Sequence, residues 1–231
     1  RYTVQANNLT GAPLKETYYW ERIRFNYRNI FAYWPSYFGQ YNTPVIYLNS
    51  SQYEDGEGYV KSFDTAKDSL TFTLSKPYVV SGGPTAYYKT TVAGNSYLTQ
   101  HRVKIAVNGT EVADSTFSSF GYKRYNISVP MSLMNAQNKM LMKYTSHNSI
   151  PSQNLYDRFG IASAELRYPR LFNFNNASEF YFELDPKVTD YYLEIDSFNT
   201  ANVSPRLYDL SNGTYLIGDI AVAGKVRFRI P

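Results

Sequence analysis

From His101 onward, apolar and polar residues alternate in short runs, each closed by Gly, Pro or an Asn-Gly pair. Period-two alternation puts successive side chains on opposite faces, so it predicts half-buried β-strands. Val103, Ile105 and Val107 point one way and Arg102, Lys104 and Ala106 the other; Asn108-Gly109 then supplies a type I′ turn into a return strand over 110–113. Arg124–Val129 alternates up to Pro130, 131–138 reads as a brief helical turn, and a strand begins near Lys139 with Met140, Met142 and Tyr144 on one face. Further strands are expected at 161–168, bounded by Pro169, and at 178–184, 190–195, 205–210, 214–217 and 225–230. Before His101, the pattern gives strands at 44–48, 78–81 and in SLTFTL, where Leu70, Phe72 and Leu74 share a face. Asp55-Gly56, Glu57-Gly58 and Gly82-Gly83-Pro84 mark turns.

Short strands with frequent turns and almost no periodic helix predict an all-β chain, an antiparallel β-sandwich or jelly roll. Helical crossovers long enough for a parallel α/β sheet are not written in the sequence. Gly82, Gly83, Pro84 and Gly94-Asn95 place a soft boundary near residue 95. The division is then 1–95, an aromatic β-rich segment that is integral to the fold or a small companion layer, and 96–231, the β-sandwich.

Composition sharpens this picture. Aromatics are 17% of the 231 residues, with 24 Tyr and 14 Phe, an excess that suits strands with wet rims and contact surfaces. The formal charge of +4 is spread along the chain without a basic run, which argues against a nucleic acid or anionic membrane as partner. The absence of cysteine removes a disulfide scaffold, a thiolate metal site and a cysteine nucleophile together. No apolar run reaches the length of a membrane-spanning helix. A start at Arg1, with neither initiator Met nor signal-peptide pattern, suggests a processed or excised fragment.

Candidate chemistry is sparse. His101 and His147 lack metal-ligand spacing and read as surface or hydrogen-bonded histidines. No GxSxG elbow or nucleotide loop occurs, Glu54, Asp55 and Glu57 read as a solvated turn, and the methionines read as core filling. Glu165, Glu179, Glu183, Glu194 and Asp196 look like the wet face of a sheet, from which no catalytic pair emerges. The chain is therefore not expected to be an enzyme or to carry a cofactor or metal. One segment stands apart: in 16–40, Tyr18, Tyr19, Trp20, Tyr33, Trp34, Tyr37 and Phe38 crowd together. Such a segment either packs across a sheet edge or neighbouring domain, or offers a partner or a glycan a stacking surface.

AELRYPRLFNF (164–174), SEFYFELD (178–185), DYYLEIDSF (190–198) and SPRLYDLSNGTYLIG (204–218) resemble the β-region before the caspase-like domain of gingipain-like peptidases, in particular the type IX secretion sortases of Bacteroidetes. The matching positions are Glu165, Arg170, Leu171, Phe180, Phe182, Tyr208, Asp209, Leu210, Ser211 and Asn212; YYWERIRFNYRNIFAYWPSYFGQ (18–40) and HRVKIAVNGTEVADSTF (101–117) add to the likeness. Gln40 stands where the family has an acid. The resemblance implies a noncatalytic β-domain of a cell-surface, outer-membrane-associated cysteine peptidase, serving as scaffold or in substrate and partner positioning. Its partners would be a downstream catalytic domain and secretion-system proteins. A carbohydrate-binding β-sandwich module is the alternative.

Overall fold

The computed structural model describes residues 1–26, 61–62, 69–94, 100–118, 121–134, 139–146, 157 and 159–231. Among them the chain forms fifteen strands and one short helix, α1 (Met131–Met134). The chain divides into two compact units, each discontinuous in sequence: one of residues 1–21, 78–83 and 168–231, the other of 22–77 and 84–167. In chain order the strands are β1 (Thr3–Gln5), β2 (Tyr19–Asn26), β3 (Lys61–Ser62), β4 (Ser69–Ser75), β5 (Ala86–Gly94), β6 (His101–Val107), β7 (Thr110–Phe117) and β8 (Tyr122–Val129). There follow β9 (Lys139–Ser146), β10 (Phe159–Arg170), β11 (Asn173–Ala177), β12 (Tyr191–Phe198), β13 (Arg206–Asp209), β14 (Thr214–Ile217) and β15 (Lys225–Ile230).

The unit of residues 22–77 and 84–167 is sandwich-like. One antiparallel sheet runs β2-β10-β5-β8, with β3 also on β10, and the other runs β4-β9-β6-β7. Their inner faces carry the alternating apolar sets: Tyr88 and Val92 from β5, Leu166 from β10, Phe72 from β4, Met140, Met142 and Tyr144 from β9, and Val103, Ile105 and Val107 from β6 are all buried. Several contacts join the layers. Phe25 and Phe72 meet at 4.8 Å, and the Tyr144 hydroxyl donates to Thr90 Oγ1 at 2.9 Å. Asn108 and Gly109 both take positive φ, as the type I′ turn requires. His101 is buried rather than at the surface, its ring stacked on Phe117 at 4.9 Å and its Nδ1 hydrogen-bonded to Asp157; His147 lies outside the described residues. The described strands show no closure into a barrel or jelly roll.

The other unit holds two three-stranded sheets, β1-β14-β13 and β11-β12-β15. Here β12–β15 and β13–β14 pair antiparallel, while β1 lies parallel to β14 and β11 parallel to β12. Tyr19, Phe172, Phe174, Leu193, Ile195, Leu216, Val226, Phe228 and Ile230 form its core, with Phe180, Phe182 and Leu207 packed against them. Three expectations differ here. The strand expected over 78–81 pairs only at Val79↔Arg170. The strand expected over 178–184 pairs only at Trp20↔Glu183, although Phe180 and Phe182 both pack against the core as the alternation predicts. The strand expected to stop at Pro169 continues to Arg170. A proline lacks only the N–H; its carbonyl still accepts from Val80 N at 3.4 Å, and Arg170 bridges Val79.

Close packing makes Gly218 obligatory. A Cβ there would lie 2.7 Å from Val226 Cγ1 and 2.8 Å from Phe228 Cζ. Gly218→Ala is expected to cost about 1–3 kcal/mol in urea denaturation. A change within about 0.3 kcal/mol would show that these side chains yield freely.

The solvent face of β12 and β15 carries an ion-pair ladder, Lys225 and Lys15 on Glu194 at 3.2 Å and Arg229 on Asp190 at 2.7 Å. The Tyr192 hydroxyl, donating to Glu194 at 2.9 Å, leads with the two lysines in holding this carboxyl down to about 2 from an ordinary 4.5. A depressed carboxylate contributes stability that is complete above the unfolded value and is lost as pH falls toward the folded one. Acid titration of unfolding should therefore show a loss between pH 4.5 and about 2 that Glu194→Gln flattens. Solvent screening keeps the amplitude small, and superimposable acid limbs would remove Glu194 from the account.

Candidate functional site

Of the aromatics singled out in 16–40, Tyr33, Trp34, Tyr37 and Phe38 lie outside the described residues. Tyr18 precedes β2, Tyr19 and Trp20 open it, and the three are held in three different ways. Tyr19 is fully buried, with Phe172, Phe174, Phe180 and Phe182 at 5.1–5.7 Å, so its ring is core and offers no face to a ligand. Burial pushes its phenol up, and its hydroxyl has no hydrogen-bond partner among the described residues. Trp20 is also buried; its indole N–H donates to Asp185 Oδ2 at 2.7 Å, and its backbone exchanges hydrogen bonds with Glu183. Tyr18 is half-buried, its hydroxyl donating to the same Asp185 oxygen at 3.3 Å. Alternation on β2 thus turns neighbouring rings to opposite sides.

Beside Tyr19 lies a buried polar cluster. Arg170 Nη1 donates to Glu21 Oε1 at 2.6 Å and Nη2 to the Asn173 carbonyl at 3.2 Å, and the guanidinium lies 5.2 Å from the rings of both Tyr78 and Phe180. The Tyr168 hydroxyl donates to Glu21 Oε2. Burial, reinforced by the Glu21 charge, pushes the Tyr168 phenol up. This set of one carboxylate, one guanidinium and one phenol locks a fold: Tyr168 is fully buried and its phenol is pushed up, so the Tyr168–Glu21 pair presents no hydroxyl to a substrate. The chain has no cysteine, and no group of three or more His, Asp or Glu among the described residues is arranged to hold a metal ion.

The exposed chemistry of this unit is instead on the outer face of β1-β14-β13. Leu216 of β14 is buried, and Leu207, its partner on β13, packs against the core, which sends the alternate residues outward. Tyr208 pairs with Tyr215, Val4 with Tyr215, and Arg206 with Ile217. Tyr2, Val4, Tyr208 and Ile217 are 43%, 58%, 47% and 50% exposed. The rings are mutually placed: Tyr2 meets Tyr208 edge-on at 5.2 Å, Tyr208 lies 5.7 Å from Tyr215, and the Arg206 guanidinium sits 5.5 Å over Tyr215. Asp209 organises the adjoining turn, its carboxylate accepting from the Ser211 and Asn212 amides at 2.9 and 3.1 Å and from the Asn212 side chain at 2.7 Å. Such an Asx turn explains why Asp and Asn recur in the YDLSN segment. Sequence reading missed this face because it unites residue 2 with residues 206–217. The available signal was the alternation of Tyr208 and Tyr215 with Leu207 and Leu216.

No known family pattern matches the sequence. No characterised protein matches it by sequence either. Among solved structures, dimeric latent PorU from Porphyromonas gingivalis is similar over 100% of this chain, with a TM-score of 0.61 and 14% identity; the chain spans 20% of that protein's length. That likeness is one of fold. The carbohydrate-binding module CBM36 in complex with calcium and xylotriose matches over 42% of this chain and 71% of its own, at a TM-score of 0.30 and 10% identity, too low to bear on fold or ligand. No helix among the described residues is long and apolar enough to cross a membrane.

Proposed function

We propose that the chain is a noncatalytic β-region of a cell-surface cysteine peptidase of the type IX secretion sortase kind, positioning substrates or secretion-system partners for a catalytic domain. The observation that carries this reading is the likeness to PorU, a type IX secretion sortase, over the whole chain. The sequence segments with the family resemblance support it: 164–174 falls on β10 and β11, 190–198 on β12, and 204–218 on β13 and β14. On this reading the protein is extracellular and outer-membrane associated, and the Tyr2–Tyr208–Tyr215 face is where a partner docks. Its aromatic content is the kind that dominates binding energy at interfaces. The test is the coding sequence downstream of Pro231. A caspase-like domain with a His and a Cys is expected, and a different enzyme, or none, overturns the assignment.

The same exposed tyrosines favour a second reading, recognition of a glycan by ring stacking. Calorimetry with neutral oligosaccharides separates the two. A saturable signal weakened tenfold or more by Tyr208→Ala supports glycan binding, and no signal across the set removes it.

A further inference from the structure

The chain has two Asn-Gly pairs, Asn108-Gly109 between β6 and β7 and Asn212-Gly213 between β13 and β14. Both asparagines are exposed in hairpin turns. Such a pair sets a side-chain amide within reach of a backbone nitrogen that no Cβ of its own residue crowds. The fold holds the two pairs differently. The Asn108 amide is clamped at both ends: Nδ2 donates to the Leu133 carbonyl at 2.6 Å, and Oδ1 accepts from the Leu141 amide at 2.9 Å. Turning its Cγ onto the Gly109 nitrogen breaks both bonds, and each adds to the barrier. The Asn212 side chain is tied at Nδ2 alone, which donates to Asp209 Oδ2 at 2.7 Å. Its Oδ1 and the Gly213 amide have no hydrogen-bond partner among the described residues. The attacking nitrogen and the carbonyl it would attack are therefore the less restrained of the two sets.

We propose that Asn212 is a site of spontaneous deamidation, and that its conversion loosens β1. The Gly213 nitrogen gives up its proton to solvent and attacks Asn212 Cγ. The new C–N bond closes a five-membered succinimide; the Cγ–Nδ2 bond breaks, and Nδ2 takes up a proton and leaves as ammonia. One water then opens the ring, at Cγ to give aspartate or at the main-chain carbonyl to give isoaspartate. Water is the only co-reactant and nothing is oxidised or reduced. Either product puts a carboxylate where Nδ2 donated to Asp209, so an attraction becomes a like-charge contact. Isoaspartate also adds a methylene to the main chain where β14 begins. There Thr214 pairs with Asp209 on one side and with Thr3 on the other, and the Thr3 amide donates to the Gly213 carbonyl at 3.0 Å. With three residues, β1 has few other bonds to hold it. The site stands independently of the sortase reading.

The experiment incubates the full chain at pH 8.5 and 37 °C and follows both pairs by peptide mapping with mass spectrometry, which reads the replacement of the amide NH2 by OH. Conversion at Asn212 is expected at least fivefold faster than at Asn108 in the folded chain. In urea the two rates should come within twofold of each other, because the clamp on Asn108 is gone. Asp209→Ala removes the single tie and should speed Asn212 at least twofold, leaving Asn108 unchanged. Hydrogen exchange over residues 1–7 should be at least threefold faster in the converted fraction than in Asn212→Gln aged alongside. Folded-state conversion of Asn108 as fast as that of Asn212, or an intact Asn212 when the urea sample is half converted, overturns the site. Equal exchange over residues 1–7 overturns its coupling to β1.

Discussion

Glu21→Ala is expected to destabilise its unit by about 3–5 kcal/mol, the cost of removing one partner from a buried ion pair. Arg170 is buried, and its side chain and that of Glu21 are 9% and 14% exposed. Without the carboxylate, the guanidinium keeps the Asn173 carbonyl and two flanking rings, and the Tyr168 hydroxyl loses its acceptor. A domain has only about 5–15 kcal/mol in hand, so the loss is a large share of the total. Glu21→Gln retains an acceptor oxygen and a near-identical shape, and roughly half the penalty is expected. Glu21→Met with Arg170→Met removes both charges, and a marked recovery over Glu21→Ala is expected, since an apolar replacement of a buried pair is often neutral. Urea denaturation followed by tryptophan fluorescence reads all three, with Trp20 in the same unit. A Glu21→Ala loss below about 1 kcal/mol would mean that water reaches the cluster freely.

The second large effect is expected at Asn7. Its side-chain amide donates to the Ile217 carbonyl at 2.9 Å and the Arg227 carbonyl at 3.0 Å, while its oxygen accepts from the Arg229 amide at 2.9 Å. One short side chain therefore ties the end of β14 to β15, which belong to different sheets. At about 0.5–1.5 kcal/mol for each bond, Asn7→Ala should lose roughly 2–4 kcal/mol. Asn7→Asp should be worse near neutral pH, because a carboxylate oxygen then faces two carbonyls. Those carbonyls would raise the new carboxyl's folded value above its unfolded one. The Asn7→Asp deficit should accordingly shrink as pH falls through the folded value and the group gains a proton to donate. A deficit that stays constant from pH 7 to pH 4 would show that the aspartate swings away from both carbonyls.

Strand existence was largely readable because it rests on local alternation. Val103, Ile105 and Val107, Met140, Met142 and Tyr144, and the runs at 214–217 and 225–230 are placed as the pattern predicts. Partnership was not readable, because pairing depends on residues far apart in the chain. Nothing near Val4 announces Tyr215, and nothing in SEFYFEL distinguishes a laddered strand from one that only bridges Trp20. The candidate site suffered from the same limit. Local aromatic density pointed to Tyr18, Tyr19 and Trp20, yet Tyr19 and Trp20, adjacent and on opposite sides of β2, are both buried, against partners as distant in sequence as Phe172 and Asp185. The Tyr2–Tyr208–Tyr215 face arises from cross-strand register.

The parallel pairing of β1 with β14 sets an order of events. Thr3 can find Thr214 only after more than two hundred intervening residues have been synthesised. Residues 22–167, apart from 78–83, supply the sandwich-like unit, so it can assemble while the tail is still emerging. The other unit must wait for its last strands, and until then Tyr19 travels as sticky, unsheltered chain. A chaperone that met this protein in transit would have the opening twenty residues to grip, and would be released by the arrival of the final thirty.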